Sequence, residues 1–436
     1  MKRRDFLKGV GAAALFPTII PASALGRNGF VAPSNRIVMG SIGLGNMGSG
    51  NTRSFMGDKR VQMVALCDPC DEDNRYGYDH KGTAGAMYFK NRHNLNDARV
   101  YRDFREMLDK ETELDAITTA TPDHWHGIIG IACANKGLDV YGEKPLTRTI
   151  EEGRMLANAV HRNGIIWQTG SFQRSNSEFI RTAELVRNGA LGKIKLIKVG
   201  VPRNEKLPPL KPEEIPSTLD WDMWQGPAMR TDFHHARTFT TWRFVSDYSA
   251  GKIADWGAHH LDISQWAMGY HLKGPKTIEP VEVVWQKDGF FDLPTKFHVR
   301  FTYEGGEVLE MADTNIYPMG IEIVAEKGTV WADRGRIAST PPSLIDRKRL
   351  PSEIRVYDTE RSGNHHSAFI DSVLNRRATV TDIETAHRTN TGCLLGEIAY
   401  VTGRTINWDW KTEKVIGDPQ AQKLCSRAYY GDWKLI

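Results

Sequence analysis

The sequence has little of what would assign a class at once. Its 436 residues hold five cysteines (Cys67, Cys70, Cys133, Cys393 and Cys425), an odd number and too few for a disulfide framework. Cys67 and Cys70 form C-x-x-C, but no second pair exists to complete a zinc site. A disulfide between them is open in an oxidising compartment; packing at a strand end is the simpler reading. Charge of one sign is also lacking. Lys plus Arg is 57 against 53 Asp plus Glu, a net +4, and no basic run occurs beyond the first eight residues, too little to argue for a nucleic-acid partner. No apolar run reaches the ~20 residues that cross a bilayer, and there is no internal repeat or low-complexity linker. With 40% hydrophobic and 25% charged residues, wholesale disorder is excluded and two domains are expected.

What is present begins with an address. Met1-Lys2-Arg3-Arg4-Asp5-Phe6-Leu7-Lys8 precedes a short Gly/Ala-rich apolar run from Gly9 to Ile20, and Ala22-Ser23-Ala24 offers an A-x-A cleavage pattern. This order describes a twin-arginine export signal over residues 1–24, followed by a linker at 25–35. The mature chain is then expected to start near Leu25, to work in the periplasm or otherwise outside the cytoplasm, and to have no stable membrane insertion.

Arg36–Ile42 reads as a buried strand that runs into Gly43-Leu44-Gly45-Asn46-Met47-Gly48, a G-x-G-x-x-G loop. Gly43 permits the tight turn, Gly45 lets a pyrophosphate approach bare backbone, and Gly48 lets helix and strand pack closely. A second strand, Val61–Leu66, ends at Cys67-Asp68. A carboxylate there would accept hydrogen bonds from ribose hydroxyls and repel a 2′-phosphate, favouring NAD without excluding NADP.

Strand and helix continue to alternate. Asp115–Pro122, Leu138–Gly142 and Ile165–Thr169 read as strands; Phe104–Leu108 and Trp125–Asn135 read as helices. Thr149-Ile150-Glu151-Glu152 is a capping box opening a helix with Gly153, Leu156, Ala157 and Val160 on one face. Such alternation predicts an α/β fold: a doubly wound parallel Rossmann sheet over 36–170, with its ligand at the strands' C-terminal ends. Asp123-His124-Trp125-His126 and Glu143-Lys144-Pro145 fall at such ends.

Beyond Lys193 the texture changes. Lys193–Val201, Val281–Trp285, Lys296–Tyr303, Val308–Ala312, Ile321–Ala325 and Gly328–Ala332 are short strand-like runs, with helices at His365–Asn375 and Glu384–Thr402. They predict an α+β domain over 171–436 with a large open, mostly antiparallel sheet. Asp333–Gly363 reads as an exposed polar loop.

At this point the sequence resembles the Gfo/Idh/MocA oxidoreductases. The Gly43–Gly48 loop, Thr121–His126, Glu143-Lys144-Pro145 and Gly251-Lys252-Ile253-Ala254-Asp255-Trp256-Gly257-Ala258-His259-His260-Leu261-Asp262 match that family's motifs in order. The resemblance implies a nicotinamide-dependent enzyme acting on a sugar, cyclitol or glycoside, assembled as a homodimer or homotetramer. It carries over Lys144 as catalytic lysine and Asp255 with His259 as the D-x-x-x-H pair. On a helix, residues four apart share a face, so Asp255 is expected to stand beside or behind His259 and bias its protonation. His259 would take the alcohol proton while Lys144 stabilises the oxygen. The cofactor set comprises Gly43, Gly45, Asn46, Met47, Gly48, Asp68, Thr121, Pro122, His124, His126, Glu143 and Lys144. For His124 and His126, packing or capping at a helix start stays equally open. The substrate set adds Arg174, Trp242, Arg243 and His260, the last as an alternative base. Trp221, Trp224, Trp256 and Trp266 crowd the same region, most of them as core. His365-His366 suggests a metal, but adjacent histidines point apart and lack a partner at ligand spacing, so no metal is expected.

Export shapes the expected chemistry. Free NAD is scarce outside the cytoplasm, so the cofactor is expected to be tightly bound. An NAD-dependent glycosidase using transient oxidation, and a non-catalytic NAD/sugar binder, are the alternatives. The retained Glu143-Lys144-Pro145, whose lysine such glycosidases resembling the family commonly lack, favours the dehydrogenase over the first, and the intact Lys144, Asp255 and His259 argue against the second. Cleavage of the leader removes Lys2, Arg3, Arg4 and Lys8 against Asp5 alone, so the net charge falls from +4 to +1. A nearly neutral mature chain points to an uncharged sugar.

Overall fold

Strands that are buried on both faces need helices above and below, and the first part of the chain supplies them. The computed structural model describes residues 36–74, 82–238, 240–346, 348, 353–357 and 364–435; the leader and the linker lie outside these. The first sheet holds β1 (Ile37–Ile42), β2 (Val61–Cys67), β3 (Arg99–Tyr101), β4 (Ala116–Thr119), β5 (Asp139–Gly142) and β6 (Trp167–Thr169). Its order is β3-β2-β1-β4-β5-β6 and every pairing is parallel. The order reverses between β1 and β4, which opens a crevice at their C-terminal ends. The helix Ile150–Asn163 starts where expected. The Thr149 hydroxyl accepts from the Glu152 amide, the Glu152 carboxylate accepts from the Thr149 amide, and Gly164 closes the helix with φ 62°. Gly153, Leu156, Ala157 and Val160 are all buried.

The second sheet has nine strands: β7 (Ile194–Val201), β8 (Thr277–Trp285), β9 (Pro294–Thr302), β10 (Val308–Asp313), β11 (Gly320–Ala325), β12 (Gly328–Asp333), β13 (Arg336–Thr340), β14 (Ile406–Asp409) and β15 (Lys414–Ile416). Their order is β13-β12-β11-β7-β10-β9-β8-β14-β15, antiparallel throughout except for β7 beside β10. The helices Ser177–Arg187, Gly257–Met268 and Ile383–Thr402 share a core with this sheet that includes Phe297, Val299, Phe301, Leu309 and Met311. Val281, Val284 and Trp285 on β8 are exposed. Among the described residues no helix is long and apolar enough to cross a membrane.

Two expectations change. β8 starts at Thr277, before Pro280, because the proline sits beside a bulge in the pairing with β9, where a missing N–H is tolerated. The stretch read as a loop from Asp333 contains β13 and a short helix, Ser343–Asp346.

The first sheet is completed from far along the chain. The helix His365–Asn375 places Phe369, Ile370 and Val373 in one core with Ile37, Met39 and Phe55. Near the C-terminus Arg427 binds the fully buried Glu152 (2.7 Å) and the His124 carbonyl (2.6 Å), and the Trp433 ring packs on Trp125 and Phe104.

Arg174 corrects a substrate-binding expectation. Its guanidinium is buried and donates twice to Asp262, at 2.7 and 2.8 Å, while lying over the Trp266 ring. It braces the helix Gly257–Met268 from behind, and Thr389 adds a third contact to Asp262. Removing one partner of such a pair strands a buried charge. Arg174→Met should therefore destabilise the protein by about 3–5 kcal/mol, and Arg174→Met/Asp262→Leu should recover most of that loss. Thermal unfolding of both variants checks it; a double variant as unstable as the single would refute the assignment.

Candidate active site

Two connected cavities meet above the C-terminal ends of β1, β4 and β5. The first is a groove lined by Gly43, Gly45, Asn46 and Met47 after β1, Asp68 and Pro69 after β2, Thr121 and Pro122 after β4, and Glu143 and Lys144 after β5. Met223, Trp224, Thr240, Trp242 and Arg243 form its opposite wall. The second cavity, of about 600 Å³, is lined by Lys144, Phe172, Gln173, Glu205, Arg243, Lys252, Asp255, Trp256, His259 and Arg334. Lys144 and Arg243 belong to both.

The groove is built for close approach to backbone. Gly43 has φ 86°, and a Cβ there would lie 2.6 Å from the Ala120 carbonyl oxygen. A Cβ on Gly48 would lie 1.8 Å from the Gly43 oxygen. The helix Asn46–Met56 begins at the groove with no side-chain cap and no acidic residue in its first turn, so its positive end is open to an anion. Asp68 is buried; its carboxylate accepts from the Leu44 amide (2.6 Å) and the Cys70 amide (2.8 Å), and burial pushes its pKa up to about 7. It thus pins the glycine loop to the end of β2 while lining the groove.

Lys144 projects from the loop after β5 to the second domain, where its ammonium donates to the Asp255 carboxylate (2.7 Å) and the Asp255 carbonyl (3.0 Å). Lys252 reaches the other carboxylate oxygen at 2.9 Å, and Arg243 stands 3.2 Å from the first. Burial works against this charge, yet Lys144, Lys252 and Arg243 hold the Asp255 carboxyl well below the usual carboxylate range.

Asp255 and His259 line one cavity, and the Asp255 charge favours the protonated ring as expected, but the two make no direct hydrogen bond or ion pair. The helix breaks at Trp256, between Lys252–Asp255 and Gly257–Met268, so the two residues do not share one continuous helical face. The partner of His259 is Gln173. With its amide turned to satisfy both neighbours, Gln173 donates to His259 Nδ1 at 2.5 Å and accepts from Arg334 at 2.6 and 2.7 Å. This makes Nδ1 an acceptor and leaves the imidazole hydrogen on Nε2. Burial, reinforced by Lys144 and Arg334, drives the His259 pKa well below 6.5, so the ring is neutral.

This chain belongs to the Gfo/Idh/MocA oxidoreductase family. Residues 37–171 match its model for an NAD-binding Rossmann fold, and residues 205–435 match its C-terminal alpha/beta domain. Inositol 2-dehydrogenase 2 of Saccharopolyspora erythraea is 23% identical over 308 residues, 70% of this chain and 74% of that one. An alpha-N-acetylgalactosaminidase of Shewanella oneidensis is 25% identical over 214 residues, 44% of each chain. Among solved structures, GenD2 from gentamicin A biosynthesis, in complex with NAD, has a TM-score of 0.61 at 19% identity, covering 86% of this chain and 97% of its own. The WlbA dehydrogenase of Bordetella pertussis, with NADH and UDP-GlcNAcA, has a TM-score of 0.57 at 17% identity, covering 86% and 99%. These likenesses show the fold.

Within this family frame the groove suits a dinucleotide, since the two glycine positions that a Cβ would obstruct and the uncapped helix end lie together. Other expected contacts are corrected. His124 is fully buried, with Nε2 on the Trp224 carbonyl, and His126 spans the Pro145 and Thr121 carbonyls, so both rings hold backbone and neither lines the groove. His260 is buried with Nδ1 on the Gly200 carbonyl; consecutive helix residues diverge by about 100°, so only His259 faces the cavity. Trp224 and Trp242 wall the groove and Trp256 the second cavity, whereas Trp266 packs beneath Arg174.

His365 and His366 also separate, the first contacting Thr169 and Ser175 and the second stacked on Tyr141 with Nε2 toward Asn51. Asn51 in turn donates to Glu143, which fixes the loop that carries Lys144. The five cysteines are free and buried. Away from both cavities, Glu213, His234 and His235 bring their ligand-type atoms within 4.8 Å of one another, with His235 Nδ1 2.8 Å from Glu213 as in an ion pair. Composition gave no signal for Gln173, Arg334, Lys252 or Met223. Lys252 alone stood inside a recognisable motif.

Gly48→Ala forces a methyl into the Gly43 carbonyl and should weaken NAD binding at least ~100-fold while the second domain stays folded. Titrating NAD against intrinsic tryptophan fluorescence checks this; unaltered affinity would refute the groove as the dinucleotide site.

Proposed function

We propose that the protein is an NAD-dependent oxidoreductase moving hydride between a sugar or cyclitol CH–OH and a retained nicotinamide cofactor. The observation that carries this reading is the convergence of Lys144 and neutral His259 in a cavity continuous with the dinucleotide groove. The S. erythraea relative, an inositol dehydrogenase, supports the substrate class. The twin-arginine pattern at Arg3-Arg4 supports action outside the cytoplasm, where a tightly held cofactor avoids the need for free NAD. The exposed Val281 and Val284 on β8 support assembly through the open sheet.

The bound nicotinamide would supply the hydride acceptor. The chain's own groups manage the proton. The Lys144 ammonium, steadied by Asp255, can donate to the oxygen on which negative charge develops. In the tautomer that the Gln173 contact implies, the neutral His259 ring can only lend its Nε2–H as a hydrogen bond to that oxygen, and in carbonyl reduction the proton itself would come from the Lys144 ammonium. For alcohol oxidation Nε2 must accept, which requires Gln173 to turn its amide oxygen to Nδ1. Retention of the match to the Shewanella galactosaminidase over 44% of the chain favours, as a second reading, transient oxidation followed by elimination at a glycosidic bond.

Incubating the NAD-loaded protein with a glycoside panel separates the two: a keto-sugar with NADH formed supports the dehydrogenase, and a cleaved glycoside without net redox change supports the glycosidase. Lys144→Ala should lower kcat by about 100-fold or more yet fold normally, because Lys252 and Arg243 still neutralise Asp255; full turnover would remove Lys144 from the chemistry. The depressed His259 pKa sets the sign of the pH dependence. Its neutral form persists above the lowered value, so kcat/KM should show no acid limb near 6.5, and activity should fall only at distinctly lower pH. A limb centred at 6.5 that disappears in His259→Asn would contradict this environment.

A further inference from the structure

We propose that the substrate of the second cavity bears a carboxylate, as in a uronic acid or its glycoside, and that Arg334 reads it. This rests on the sugar-oxidoreductase reading and narrows its substrate class.

The charge lining the cavity is unbalanced. Lys144, Arg243, Lys252 and Arg334 face Asp255 and the exposed Glu205. Asp255 is already shared by three cations, Lys144 and Arg243 at one oxygen and Lys252 at the other. Arg334 makes no ion pair among the described residues; Asp333 and Asp255 act on it only at longer range. Its guanidinium lies 4.4 Å above the Trp256 ring and donates to the neutral Gln173 amide. The neighbouring Asp333 stands 3.6 Å from Arg336 instead. An oxidised nicotinamide beside Lys144 would add further positive charge.

The excess is local. The chain after residue 24 carries only +1 by formal count, so this concentration of cations is a property of the cavity and not of the surface as a whole. That overrides the inference from net charge, which pointed to an uncharged sugar. Arg334 is also well placed for recognition, at the β12–β13 turn between Asp333 and Gly335, where a strand pairing and a ring stack fix its direction. Gln173 engages the Nε and one Nη nitrogen, which leaves guanidinium hydrogens on the outer edge of the fork. A planar carboxylate accepts two parallel hydrogen bonds from such an edge, and a neutral hydroxymethyl group does not.

The test compares matched ligands on the NAD-loaded full chain: methyl glucuronide, methyl glucoside and glucose 6-phosphate, by calorimetry and by NADH formation. Methyl glucuronide should bind at least ~10-fold tighter than methyl glucoside, and its affinity alone should fall with added salt. Arg334→Gln should collapse that preference by about 10- to 100-fold, with Arg334→Lys retaining part of it and melting temperatures confirming that both variants fold. Equal or tighter binding of the glucoside, tighter binding of the phosphate, or an equal loss for both glycosides in Arg334→Gln would overturn the proposal. Glucuronide binding without any hydride transfer would support the proposal while removing the oxidoreductase reading. Glucoside turnover with no acid preference would do the opposite.

Discussion

The site depends on one ion pair that spans the two domains. Lys144 comes from the end of β5 in the parallel sheet, and Asp255 comes from a one-turn helix in the second domain. Their side chains are only 10% and 6% exposed, so both charges leave water when the domains meet. Such desolvation is offset only when the geometry is good and further hydrogen bonds complete the shell. Lys252, Arg243 and the Asp255 carbonyl provide that completion. The lysine proposed to meet the reacting oxygen and the wall of the second cavity are therefore fixed by the same contact.

Other contacts exist to keep that pair in register. Arg148, four residues after Lys144, makes a bidentate pair with Glu397 on the long helix of the second domain. His126 ties the loop after β4 to the loop after β5 through two carbonyls, and Asn51 holds Glu143 from the helix that begins at the glycine loop. The chain's last segment returns across the first sheet, where Arg427 and Tyr429 satisfy the buried Glu152. The capping-box glutamate thus serves a second purpose, as the anchor for a strap some 270 residues away. Relative motion of the domains would have to break several buried polar contacts together, which favours a preformed cavity.

Local signals made the first sheet and the glycine loop legible, because each strand, turn and cap is written in a few consecutive residues. The Thr149–Glu152 box and the Gly43–Gly48 spacing are of that kind. Errors arose wherever a side chain's direction depends on distant packing. His124, His126, His260 and Arg174 stand within or near recognisable motifs, yet each is turned to a backbone carbonyl or a buried acid that only the tertiary fold supplies. The spacing of Asp255 and His259 brought both to one cavity, but the helix breaks at Trp256 and they act on each other through space without touching. Arg334 was invisible because it lies at a hairpin turn in a stretch with the composition of a loop. Strand pairing across β12 and β13 carries it to the site.

The fields of these groups bind specificity to chemistry. His259 is neutral because it is buried beside Lys144 and Arg334, whose charges disfavour a third positive one. A neutral imidazole is the right resting state for proton exchange, but the same cations make it a weak base while the cavity holds only neutral ligands. An anion placed against Arg334 would offset part of that field and raise the proton affinity of His259 while the substrate is bound. Gln173 strengthens the connection, since its oxygen is held by Arg334 and its nitrogen by His259. A ligand that draws the guanidinium toward itself loosens the constraint that fixes the imidazole tautomer. Recognition of charge and readiness for proton transfer then cease to be separate properties, because both pass through the Arg334–Gln173–His259 chain.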